Sequence, residues 1–238
     1  METIGIIAEY NPFHNGHKYM LQQVKDKLPH AHIIVAMSGS YTQRGEAAIF
    51  DKWQRAASAV KNGASLVLEI PFVFVARSAQ FFAQGGIQLL NRLNSVNYLA
   101  FGAETDDLSL LKEIAEIEIN NSLTKNNLHS GISYASAINK SISAAIPDAD
   151  NVLKEPNNIL AIEYLRTLKK LNSSIKPLII KRISASYHSD KITGTIASAP
   201  AIRKSLLHTP DLKEILSVIP PNTYESIQNA LSGDLPAE

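Results

Sequence analysis

Residues 3–17 read TIGIIAEYNPFHNGH. Thr3 to Ala8 is an apolar, β-branched run with the length of a strand buried on both faces. A turn follows, which Pro12 helps to fix, and helical periodicity begins at Gly16 and continues to Lys27. The same alternation recurs outward from this stretch. Further strand-like runs lie at His32–Met37, Leu66–Ile70, Tyr98–Phe101 and Leu178–Lys181, and helix-like stretches at Asp51–Asn62, Ser78–Asn94 and Ile132–Ile146. This predicts an α/β protein with a doubly wound parallel sheet. In such sheets ligands sit outside the carboxyl ends of the strands, which points to the loops after Ala8, Met37, Ile70 and Phe101. Beyond about residue 205 the pattern is helical and strandless, with Pro220 and Pro221 separating two short helices. The predicted organisation is one α/β domain over residues 1–205 and a short helical segment over residues 206–238, read as the start of a further domain. A Ser, Asn and Lys-rich stretch at 120–130 reads as a surface loop.

The 238 residues are 45% hydrophobic and 19% charged, which excludes disordered, collagen-like and coiled-coil classes. The absence of cysteine excludes a disulfide framework, Cys-ligated zinc or iron–sulfur sites and a thiol nucleophile. The N-terminus carries no basic leader and no apolar run reaches membrane-spanning length, so a soluble, cytoplasmic protein with no membrane partner is expected. The net charge is +1, but it is unevenly spread: Lys154 to Lys204 holds 10 Lys or Arg against 3 Asp or Glu. That surplus either attracts phosphates or is a solvated face.

The residue types in the first loop suit phosphate chemistry. His14 and His17 are three apart and project from one helix face, Gly16 lets a ligand approach the backbone, and a helix start offers unpaired N–H groups. Two surface histidines at a helix start would be the plain alternative. No metal is expected, because HxxH lacks further close ligands. A second stretch, Ile196 to Arg203 (IASAPAIR), offers Ser198 as an N-cap, Pro200 in a first turn and Arg203 one turn on.

HNGH is an HxGH motif, and the region resembles the nucleotidylyltransferase superfamily, which implies a Rossmann-like parallel sheet; IASAPAIR is similar to its second motif, ISSTxIR, with Ala199 and Pro200 in place of hydroxyl residues. Several other segments, among them MSGSYTQRGEAAIFDKWQRA, EPNNILAIEYL and KRISASYHSD, resemble one family, the tRNA(Met) cytidine acetate ligases, over residues 1 to about 210. The resemblance implies activation of acetate with ATP as acetyl-adenylate and transfer of the acetyl group to the wobble cytidine of elongator tRNA(Met). It implies His14 and His17 as catalytic residues that stabilise charge on the phosphates. It also implies ATP contacts from Ile7, Ala8, Glu9, Tyr10, Asn11, Pro12, Phe13, His14, Asn15, Gly16 and His17. Gly102, Asn157, Arg182, Ser198 and Arg203 complete that set, with Mg²⁺ an open companion of ATP. Members of the family continue beyond this length into a helical region that helps to hold tRNA.

Several residues carry two readings. Asn157 either binds the nucleotide or, like Asn158, caps a helix; Arg44 meets a ligand or stabilises its loop; Tyr187 and His188 stack on a base or pack. Gly102 ends a strand where a side chain would obstruct a nucleoside, and Arg182 sits at the same edge. Trp53 reads as core and Glu69 as a partnered buried carboxylate. Competing functions are adenylyl transfer to a small molecule, acetate activation for a prosthetic group, and nucleotide or RNA binding without turnover. A class I aminoacyl-tRNA synthetase is disfavoured, since Lys191 to Thr195 is a poor substitute for a KMSKS loop.

Overall fold

The computed structural model describes residues 1–117, 134–183, 192, 194–208 and 212–232. Tyr187 and His188 lie outside the described residues. Five strands, β1 (Thr3–Ala8), β2 (His32–Ser38), β3 (Leu66–Ile70), β4 (Tyr98–Ala103) and β5 (Lys176–Lys181), form one parallel sheet in the order β3-β2-β1-β4-β5. The helices between them are α1 (Asn15–Lys27), α2 (Lys52–Lys61), α3 (Phe72–Val75), α4 (Ala79–Arg92), α5 (Leu108–Glu116), α6 (Tyr134–Ala145), α7 (Ala149–Val152) and α8 (Pro156–Lys170). After β5 come α9 (Ala199–His208), a 3-10 turn (Leu212–Ile215) and α10 (Pro221–Ser232). Pro177 is accommodated because β5 is an edge strand, where a missing amide breaks no inner ladder.

The alternation of β1 divides the core. Ile4 and Ile6 face a cluster with Ile33, Val35, Leu21 and Val24, beneath α1 and α2. Ile7 faces the other layer, where Phe82, Ile87, Leu90, Leu99 and Phe101 pack with α8 residues such as Ile162 and Leu165. Each such fully buried side chain contributes about 1.5–3 kcal/mol. Gly86 brings α4 close to the sheet: a Cβ there would stand 2.6 Å from Ile7 Cδ1. A third cluster joins Ala197 and Ile202 of the α9 region to Ile215, Val218, Ile219 and Ile227. Helix α9 itself runs across residues 205 and 206.

Two sequence expectations are corrected here. Trp53 is not core but 74% exposed, because α2 buries Arg55, Ser58 and Ala59, and Trp53 lies about 200° around the helix from Arg55. Glu69 is partnered but not buried: it is on the edge strand β3, half-exposed, and paired with Lys52 at 2.6 Å.

Candidate active site

The strand order reverses between β1 and β4, and a cleft opens at their carboxyl ends. One lobe has a volume of about 360 Å³ and takes Ile7, Ala8, Glu9, Tyr10 and Asn11 from the end of β1 and the turn after it. Gly102, Asn157, Arg182 and Arg203 close its other side, and Arg44 also lines it. A second lobe, about 170 Å³, is lined by His14, Gly16 and Ser198, and shares His17, Gly102, Asn157 and Arg182 with the first. The stretch from Ile7 to His17 is thus brought together with Arg44, Gly102, Asn157, Arg182, Ser198 and Arg203 in one crevice at the β1/β4 crossover, where the fold class puts ligands.

The turn after β1 is held from behind. Tyr10 takes the left-handed conformation (φ 49°), and its buried ring meets those of Phe13 and His17 edge-on, each at 4.8 Å. Asn11 is buried; its Oδ1 accepts the amide of Ile49 at 2.8 Å and its carbonyl accepts Arg203 Nη1 at 2.9 Å. Pro12 and Phe13 turn away from the cleft toward Phe50 and Ile227, and Phe13 is 1% exposed.

The histidines do more locally than their spacing suggests. His14 is the N-cap of α1, its Nδ1 accepting the amide of Gly16 at 3.1 Å, while His17 Nδ1 accepts the amide of His14 at 3.2 Å. The two imidazoles therefore form a reciprocal capping box, stacked with centroids 3.7 Å apart. Because each Nδ1 accepts, the neutral ring carries its proton on Nε2, which leaves one donor per ring for a ligand. Burial, reinforced by Arg182, pushes His14 down to about 3, and burial together with His14 and Arg182 holds His17 well below the usual range. Both are neutral donors at physiological pH.

The helix start departs from expectation in its amides and in Asn15. Its first-turn amides are not free: Asn15 N donates to Val218 O at 2.9 Å, Gly16 N to His14 Nδ1, and the amides of His17 and Lys18 to His14 O. The side chain of Asn15 is turned from the cleft, donating to the carbonyls of Thr195 and Ser217, both at 2.9 Å. Gly16 lines the second lobe and also makes room for His14: a Cβ there would lie 2.9 Å from His14 Cε1.

Across the cleft the second wall is equally cross-linked. A Cβ on Gly102 would stand 3.1 Å from Arg182 Cγ, so its small size serves the arginine that follows β5. Glu104 organises this wall: Oε1 accepts Asn157 Nδ2 at 2.6 Å, Oε2 accepts the amide of Asn158 at 3.0 Å, and Arg182 Nε lies 3.8 Å away. Neither asparagine caps α8, whose N-cap, Glu155, makes no side-chain cap bond. Asn158, 2% exposed, instead accepts the amides of Glu104 and Thr105 on Oδ1. Ser198 does cap α9, its Oγ accepting the amide of Ala201 at 3.2 Å.

Sequence reasoning missed two organisers. Arg55, 2% exposed, donates to the carbonyls of Glu9 (2.6 Å), Phe50 (3.1 Å) and Gly39, stitching the loops after β1 and β2. Glu9 also reaches the second loop, accepting the amide of Gln43 at 2.6 Å. Both Arg55 and Glu104 lie within the segments DKWQRA and LAFGAE, but spacing alone does not distinguish a buried charge from a surface one. Among the described residues no group of three or more His, Cys, Asp or Glu is placed to hold a metal ion. No helix among the described residues is long and apolar enough to cross a membrane.

A cleft with two neutral imidazole donors and three guanidinium groups suits the charge that develops on a phosphate under attack. The family model described as HIGH Nucleotidyl Transferase matches residues 1–237. The curated tRNA(Met) cytidine acetate ligase of Alkaliphilus metalliredigens is 39% identical over 98% of this chain and 59% of its own length. That of Clostridium perfringens is 41% identical over 99% of this chain and 62% of its own. The crystal structure of apo Thermotoga maritima TmcAL superposes with a TM-score of 0.91 at 30% identity, covering 100% of this chain and 59% of that one. TmcAL bound with alpha-thio ATP gives 0.87, covering 99% and 57%. The chain thus spans about three fifths of the length of these relatives.

Proposed function

The chain belongs to the HIGH nucleotidyl transferase family, and from that premise we propose that it activates acetate with ATP and transfers the acetyl group to the exocyclic amine of the wobble cytidine of elongator tRNA(Met). The observation that carries this reading is the convergence of His14, His17, Arg182 and Arg203 on the switch-point cleft. It is supported by relatives of that name and by the ATP analogue held by TmcAL.

In the first half-reaction an acetate oxygen bonds to the α-phosphorus and the bond to the pyrophosphate oxygen breaks. The Nε2–H groups of His14 and His17 donate to the phosphate oxygens as charge grows there. They transfer no proton, since both rings are neutral and far from titrating. Arg182 and Arg203 hold the triphosphate, Gly102 and Asn157 border the nucleoside, and Ser198 fixes the start of the helix that carries Arg203. In the second half-reaction the cytidine amine attacks the acetyl carbonyl, AMP leaves, and the N–H proton passes to solvent. Such a protein works in the cytoplasm, where its tRNA is. The test is acetate-dependent exchange of pyrophosphate into ATP, followed by labelled acetate, ATP and total bacterial tRNA with nucleoside analysis. Exchange that ignores acetate would overturn the reading in favour of a different adenylyl acceptor.

A further inference from the structure

The wall formed by the end of β4 and the start of α8 is wired through one carboxyl group. Glu104, whose side chain is 18% exposed, offers its neighbours acceptor oxygens only. Oε2 is engaged by the backbone amide of Asn158 at 3.0 Å. Oε1 faces two cleft residues, Asn157 Nδ2 at 2.6 Å and Arg182 Nε at 3.8 Å. The two ends of an amide side chain are alike in shape and opposite in hydrogen bonding, so its direction follows from its partners. Here the carboxylate decides. The nitrogen of Asn157 faces Glu104, and the oxygen, an acceptor, is the end left for the cleft, which Asn157 lines in both lobes.

We infer that Glu104 is a positioning residue that sets the hydrogen-bonding polarity of this wall: by holding Asn157 Nδ2 it presents Oδ1 as an acceptor, so the nucleoside must offer a donor there. Two groups of ATP have that chemistry, a ribose hydroxyl and the exocyclic amine of adenine. The inference rests on ATP as the ligand of the cleft, as in the proposed function, and names what the site reads in it. Glu104→Gln keeps the size of the side chain and inverts the polarity. The Asn158 amide belongs to the backbone and cannot turn, so the glutamine oxygen stays with it. The glutamine Nε2 then meets Asn157, which turns Oδ1 to it and Nδ2 to the cleft.

Calorimetric binding to the full chain without acetate tests this, using ATP, 2′-deoxy-ATP, 3′-deoxy-ATP and inosine triphosphate. The unaltered protein should bind at least one of the three analogues about five- to tenfold more weakly than ATP, the scale of one hydrogen bond. A weak deoxy nucleotide identifies a hydroxyl as the donor; weak inosine triphosphate identifies the amine. That preference should vanish in Glu104→Gln. It should return when Glu104→Gln is combined with Asn157→Asp, where carboxylate and amide have exchanged places and an acceptor faces the cleft again. No preference in the unaltered protein, a preference that survives Glu104→Gln, or one that the exchange does not restore would overturn the inference. A contact acting only through Arg182 or through packing would weaken ATP and the analogues alike. Selective binding without acetate-dependent exchange would overturn the proposed acetate activation and leave this inference standing, whereas absence of ATP binding would overturn both.

Discussion

Helices α1 and α8 both begin at the cleft, and they divide labour in opposite ways. At α1 the residues that suit a ligand, His14 and His17, also do the capping, and their remaining Nε2–H groups are the donors left for chemistry. At α8 the residues that suit capping, Asn157 and Asn158, are spent within their own wall of the cleft on Glu104 and the backbone that follows β4. A helix start beside a ligand site is therefore not a spare anion hole. What it presents depends on which side chains have already claimed its amides.

The sharpest way to break the contrast is His17→Ala, expected to raise the barrier of acetate-dependent exchange by about 2–4 kcal/mol, the scale for losing one transition-state donor. Turnover equal to the unaltered protein would show that α1 is capped by its histidines and nothing more. Asn158→Ala should act on the other side of the comparison. With two amides left unpaired near the buried Asn158 position, unfolding in urea should show a loss of roughly 2–3 kcal/mol. Asn157→Ala, by contrast, should keep the stability and weaken ATP use. Arg203→Lys is next: one guanidinium edge already holds Asn11 O, and an ammonium cannot keep that bond and grip phosphate as a fork does. A rise in KM for ATP of about tenfold is expected in exchange kinetics.

The smallest effect comes from pH. His14 and His17 titrate lower in the folded protein than in the unfolded chain, so their contribution to stability is full above the unfolded value near 6.5 and is lost as pH falls toward the folded value, about 3 for His14. By pH 6 the loss should reach on the order of 1 kcal/mol for each ring. Unfolding midpoints measured at pH 7.5 and 6 check this, with a variant lacking both rings expected to show a smaller drop.

Much of the fold was legible because apolar runs such as TIGIIA and HIIVAM have few other uses than strands buried on both faces, and their alternation with helices leaves one topology class. The crevice was legible for the same reason: once β1 is central, the residues after it must meet those after β4 and β5. What spacing did not carry was the direction of each side chain. Asn15 lies between two histidines yet points to the carbonyls of Thr195 and Ser217, a choice set by residues about 180–202 positions away. Gly16 and Gly102 stand where glycine was expected, but the atoms that need the space belong to His14 and Arg182. Trp53 reads as core by its chemistry and is exposed because the helix gives its buried face to Arg55. A buried arginine whose partners are three carbonyls leaves no pattern of its own, since every sequence has carbonyls everywhere.

The carbonyl of Val218 caps the amide of Asn15, and that of Ser217 holds its side chain, across 202 residues of chain. During synthesis α1 can form early, with its histidines already closing on its own backbone, but its first amide waits for a partner made about 200 residues later. Joining segments so far apart costs loop-closure entropy that local contacts do not. The cleft is therefore not finished until Val218 has been made, so a nascent chain released before that residue would carry the motif without its completed site.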